Sequence, residues 1–195
     1  MSESHRSATT VKPIRAAASI MVGVMAASDA WPQKLARWRR LTPLATWVTI
    51  ELAELSHAGI FYGVAAALDR FAMVPRHLIL LGEGPVARSA LELVLRSALP
   101  CGGIVAIDVS CGALPFRIVP TATAIRLVVH QTGSQRSPDS LAGALRAADL
   151  DARIINLNTA GDCAAGAAAS AAAETFVLEL VATIGRQARD GAGNR

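Results

Sequence analysis

The chain has 195 residues, 52% of them hydrophobic, 17% charged and 4% aromatic, with a formal net charge of +4. That length suits one domain, long enough to bury a core without disulfide or metal staples. The low charge and high apolar fraction exclude a disordered, charge-swollen chain.

Alanine supplies 39 residues, so the mean hydropathy of +0.39 overstates the apolar area available for burial. The basic residues, 17 Arg and 2 Lys, are scattered apart from Lys34, Arg37, Arg39 and Arg40 around Trp38. That cluster reads as a solvated helix face, because no aromatic residues interleave with bases elsewhere, and no nucleic-acid partner is expected. Cys101, Cys111 and Cys163 cannot all pair within the chain and show no metal-ligand spacing. A reduced, cytoplasmic protein with neither metal nor cofactor is the expectation.

Residues 1–12 are polar and read as a tail, 13–185 as one domain, and 186–195 as a second tail. Residues 16–24 (AAASIMVGV) form an apolar run of strand length. The same segment could instead be the apolar core of a signal peptide, with Arg6, Lys12 and Arg15 before it and cleavage at Ser28-Asp29-Ala30, which would make the protein exported. Neither this run nor residues 164–184, which Glu174 and Glu179 interrupt, reads as a membrane span.

Asp29 is placed to cap a helix with Pro32 in its first turn, running to about Arg40. Residues 46–52 (TWVTIEL) read as a second strand. Residues 54–71 follow with apolar positions at helical spacing, among them Leu55, Phe61, Tyr62, Ala65, Leu68 and Phe71. Pro75 ends that element, residues 77–81 (HLILL) form a buried strand, 82–84 turn the chain, and Pro85 starts a helix through about Ala98. Strands at 103–109 and 125–130, a helix at 138–148, a strand at 153–158 and an alanine-rich helix from Cys163 to Gly185 complete the chain. Strand and helix alternate almost throughout. That predicts an α/β fold: a mostly parallel six-stranded sheet, helices on both faces, and any site at the carboxyl ends of the strands.

The glycine turn admits two functional readings. In Gly82-Glu83-Gly84-Pro85-Val86-Ala87, the residues Gly82, Gly84 and Ala87 fit the dinucleotide fingerprint G-x-G-x-x-A. Asp108 ends the next strand where a ribose-binding acid belongs. Against this, some 60 residues of strand and helix precede the motif, and residues 110–124 hold no evident crossover helix.

The second reading draws on four segments in order: GVMAASDAWPQKLARW, GEGPVARSALELVLRSALP, GGIVAIDVSCGALP and LVVHQTGSQRSPDSLAGALRAADLDARIINL. Together they resemble the α/β-hydrolase superfamily, in particular the small carboxylesterase/phospholipase type of serine hydrolase. The resemblance implies an oxyanion loop after the first strand, near Val24, and a nucleophile elbow G-x-S-x-G at Gly82-Glu83-Gly84-Pro85-Val86. Gly84 then stands at the nucleophile position, and Pro85 at the residue whose N–H should stabilise the oxyanion, a group proline lacks. The acid position falls on Ser134 and the histidine position near Asp162, so the implied triad is degenerate. The stretch between the second strand and the next helix is also short for loops that shape an acyl pocket.

These substitutions lead to an expectation of a catalytically inactive hydrolase-like protein that binds a protein partner or a small ligand, with Glu83, Cys111 and His130 as candidate contacts. A weak hydrolase using Cys111 with His130 is the alternative, since both should lie at the carboxyl edge of the sheet. The oligomeric state is left open, a homo-oligomer included.

Overall fold

The computed structural model describes residues 20–25, 31–130, 140–157 and 162–193, with the backbone alone at 31–33, 130, 162–165 and 191–193. Six strands, β1 (Ile20–Met25), β2 (Ala45–Ile50), β3 (Leu78–Glu83), β4 (Gly103–Ile107), β5 (Ala124–His130) and β6 (Ala152–Leu157), form one sheet in the order β2-β1-β3-β4-β5-β6. Every pairing is parallel. The order reverses between β1 and β3, and ligands of open α/β sheets bind outside the carboxyl ends of strands at such a point.

Five α-helices cover the two faces: α1 (Trp31–Leu41), α2 (His57–Arg70), α3 (Gly84–Leu95), α4 (Leu141–Ala147) and α5 (Asp162–Gly193). Met21, Leu78, Leu80, Ile104 and Leu127 face a core shared with α2, α3 and α4, whereas Val22, Ile79, Leu81, Val105 and Val128 face a second core against α1 and α5. Strands buried on both faces need apolar residues at every position, not alternate ones. That is why IMVGVM and LILL read as unbroken runs.

β1 lies inside the sheet and all six of its residues are buried. Cleavage after residue 30 would remove the strand that joins β2 to β3. Asp29, the expected cap of α1, and residues 16–19 of the expected first strand lie outside the described residues.

Two expectations need correction. Of the apolar residues expected at helical spacing, Leu55, Phe61, Tyr62 and Phe71 are exposed and Leu68 is half-buried against the first core, whereas the buried positions of α2 are Gly59, Ile60, Val64 and Ala67. At two positions the helix approaches its neighbours too closely for any side chain. A Cβ on Gly63 would lie 2.7 Å from the Glu51 carbonyl oxygen, and one on Gly59 would meet the backbone of Glu54. The second correction concerns the last helix, which does not stop at Gly185 but continues to Gly193. Gly185 is a packing residue there, since a Cβ would come within 3.0 Å of Ile20 Cδ1, and Ala188 beyond it is buried.

α5 is long and apolar enough over Gly166–Asp190 to cross a membrane. In this fold Ala173, Phe176, Val177, Leu180 and Ile184 of α5 are buried in the second core. Its two interior acids are paired, Glu174 with Arg37 and Glu179 with Arg126 and Arg153.

Candidate functional site

The chain passes from β3 to α3 without a connecting loop. Glu83 is still extended, at φ −132° and ψ 145°, and Gly84 turns the backbone with φ +62°. Left-handed backbone of this kind costs an L-residue about 1–2 kcal/mol, so glycine suits the position. Among the described residues the space beyond Gly84 is open, because a Cβ built there would meet none of their atoms within 4 Å.

Gly82 is needed for a different reason. Its Cβ would lie 3.1 Å from Met25 Cε and 3.2 Å from Ala87 Cβ, so α3 packs directly on the strand. Pro85 follows in the first turn of α3 and removes an N–H that would otherwise point out of the helix start.

Around this turn the sheet supplies the remaining sequence candidates. Val24 pairs with Leu81 on the neighbouring strand, with its side chain buried in the second core. Glu83 pairs with Ile107 of β4, so Asp108 lies one strand away from the turn. Asp108 is exposed and left-handed at φ +51°, and its N–H donates to the Val128 carbonyl at 2.7 Å. Gly82 and Gly84 meet at the turn, as both readings require, and Ala87 packs beside Gly82.

Cys111 sits half-buried in the loop after β4, outside any disulfide, with its thiol 3.7 Å from the Val109 carbonyl. His130 ends β5 at the same sheet edge, but its side chain lies outside the described residues. So do all of Ser134 and the side chain of Asp162, whose backbone opens α5. Cys101 is a different thiol. It is buried at the amino end of β4, and burial pushes its pKa up to about 12, against the downward pull of its contacts with the Thr123 side chain and the Gly103 backbone.

One group of residues was not foreseen. Arg88, on the first turns of α3, donates to the carbonyl oxygens of Ser110 at 2.6 Å and Gly112 at 3.3 Å, and to Glu92 at 2.8 Å. Glu92 in turn lies 3.4 Å from His57 Nε2 at the start of α2. The chain His57–Glu92–Arg88 thus fastens the Cys111 loop to the helix that leaves the turn. Leu141 N–H adds a second tie, donating to the Cys111 carbonyl at 3.2 Å. The i, i+4 spacing of Arg88 and Glu92 was visible in the sequence; the loop carbonyls they serve, more than 20 residues on, were not. Among the described residues no group of three His, Cys, Asp or Glu side chains could hold a metal ion.

This architecture, a parallel sheet in 2-1-3-4-5-6 order with a sharp strand-to-helix turn at its centre, is the α/β-hydrolase fold. Solved structures with the same fold include the esterase PE8, with a TM-score of 0.54, 17% identity and coverage of 84% of this chain and 93% of that one. A putative YdeN-like hydrolase from Pectobacterium atrosepticum matches with a TM-score of 0.55 and 17% identity over 85% of this chain and 91% of that one. An esterase from the archaeon Pyrobaculum calidifontis matches with a TM-score of 0.55 and 11% identity over 87% and 75%. No protein-family model matches the sequence, and no curated protein does.

Proposed function

We propose that this chain is a hydrolase-fold protein without serine-hydrolase activity, which binds a small ligand or a protein partner over the β3–α3 turn. The observation that carries the reading is Gly84: a left-handed residue on a strand-to-helix turn, with no described atom within 4 Å of where a Cβ would stand and no side chain to attack with. Such a turn is where a hydrolase exposes its serine hydroxyl. Pro85 removes the adjacent N–H, and loss of one oxyanion donor alone costs an active enzyme about 2.7–4 kcal/mol of transition-state stabilisation. By the resemblance, the acid and histidine positions fall on Ser134 and Asp162, neither of which has the chemistry required. The loop beside the turn is nevertheless held in place by Arg88, which suits a surface that binds.

A second reading keeps weak hydrolysis through Cys111 with His130, and it is favoured by one observation: the Cys111 thiol is half-buried in a loop fastened at the same sheet edge.

Turnover of p-nitrophenyl butyrate separates the two. The expected result is the buffer rate for the wild type and for Gly84→Ser, whose hydroxyl would lack the oxyanion N–H that Pro85 cannot supply and, by the resemblance, a histidine at the base position. Wild-type turnover that disappears in Cys111→Ala would establish the second reading. A rise in Tm with NAD(P), lost in Asp108→Ala, would point to a nucleotide site instead.

A further inference from the structure

The two edges of the sheet are finished differently. β6 carries Arg153 within the strand, paired at 3.2 Å with Glu179, and charges on edge strands discourage pairing with another chain. β2 is ATWVTI, without charge, proline or glycine, and its strand neighbour on one side is β1. On the other side no described strand lies beside it.

The surroundings of that edge are apolar and open to solvent. Leu41 and Leu44 at its amino end are 47% and 70% exposed, and Tyr62 on α2 is 70% exposed. A shallow cleft of about 100 Å³ runs between β2 and α2, floored by Val48 and Ile50 and rimmed by Ala66 and Phe71. Tyr62, Ala66 and Arg70, all exposed, follow one another at four-residue spacing along that side of the helix.

The charges at the two ends of β2 are opposite. Arg39 and Arg40 close α1 just before the strand, and Glu51 and Glu54 follow it; all four are exposed. Among the described residues, Arg39, Arg40 and Glu51 make no ion pair. A two-fold axis perpendicular to the sheet at the middle of β2 would run a second copy antiparallel to the first. The basic end of each strand would then lie beside the acidic end of the other, and the two α2 helices would meet on one face. A strand of foreign sequence has no reason to carry this polarity; a copy of the same strand carries it by symmetry.

We propose that β2 is a dimerisation edge, through which two copies of this chain join antiparallel and continue their six-stranded sheets into one. Six residues span only about 20 Å, and a specific interface needs about 1,000 Å². Leu41, Leu44, Tyr62 and Phe71 are therefore part of the contact, not bystanders to it.

Sedimentation equilibrium of the full chain tests this, with a dimer expected at micromolar concentration. Thr46→Lys/Thr49→Lys alters two exposed side chains of β2 and should give a monomer whose Tm and circular dichroism match a folded protein. Glu51→Arg places like charges at both ends of the paired strands and should weaken the dimer by about tenfold, because symmetry counts each change twice. Adding Arg40→Glu to Glu51→Arg should restore it. A wild type that is monomeric at 100 μM overturns the proposal. So does a dimer that is indifferent to both sets of changes, which would place its contact elsewhere. A chain that dimerises only when residues 1–15 are removed would show that its own amino-terminal segment occupies the edge, and that result overturns pairing between full-length copies.

Discussion

At the amino end of the sheet Arg126 lies in the interior, 3% exposed, with both ends of its guanidinium engaged: Asp151 at 3.0 Å, Glu179 at 2.8 Å and the Ile125 and Asp151 carbonyls. At the carboxyl end, Gly84 presents bare backbone to open space. Thr42, His77, Thr123 and Arg126, four of the five buried polar residues among those described, stand at the amino end. Thr123 donates to the Cys101 carbonyl at 2.8 Å, and Thr42 to that of Trp38 at the same distance. Buried polar groups must be satisfied, and among the described residues most of the fully buried ones lie at the end of the sheet away from the turn. The comparison teaches that a site can keep its backbone shape while the chain's polar pairing is concentrated on holding the fold together.

The largest effect should come from breaking the closed end. Arg126→Ala would leave Glu179 and Asp151 without their shared cation, and burial opposes its charge less than those two acids support it. A loss of about 3 kcal/mol is expected in urea unfolding, the low end for a buried pair, since both acids keep partial access to water. A loss below 1 kcal/mol would mean that the cluster is ornamental and the contrast between the two ends wrong.

At the open end, two glycines two residues apart should respond unequally. Gly82→Ala forces a Cβ against Ala87 and Met25 and is expected to cost about 2 kcal/mol. Gly84→Ala enters open space and should lose only about 1 kcal/mol, for its left-handed backbone. Equal losses would show that the turn is packed rather than open.

The smallest effect concerns pH. Burial, aided by the Arg76 charge, lowers the pKa of His77 below its ordinary 6.5. The folded chain then binds fewer protons than the unfolded one just below that pH. Its contribution is complete above 6.5 and is lost as pH falls through the folded-state value. The slope of stability against pH in that window should flatten in His77→Gln.

The alternation of strands and helices was legible because each buried strand is a short apolar run, which its length and the flanking glycines and prolines, not its period, separate from a helix. All six strands were located, with ends that differ by no more than two residues where the described residues allow the comparison. The turn was legible too, since the demand for glycine at 82 and 84 is local. The inner face of α2 was not: the helix carries apolar residues all round, and close approach, not hydrophobicity, selected Ile60 and Val64 over Phe61 and Tyr62. The partners of Arg88 and Arg126 were hidden for a related reason, because acceptors 22 and 53 residues away leave no mark on local spacing.

By itself, then, the sequence determined the order of elements, the sheet's parallel character and the absence of a nucleophilic side chain at Gly84, all of which depend on neighbours along the chain. Which face of α2 is buried, where Arg126 finds its acids and which uncharged strand stands at the edge of the described sheet were decided by the tertiary structure. Those choices rest on contacts between distant segments, whose energies exist only once the chain has closed on itself.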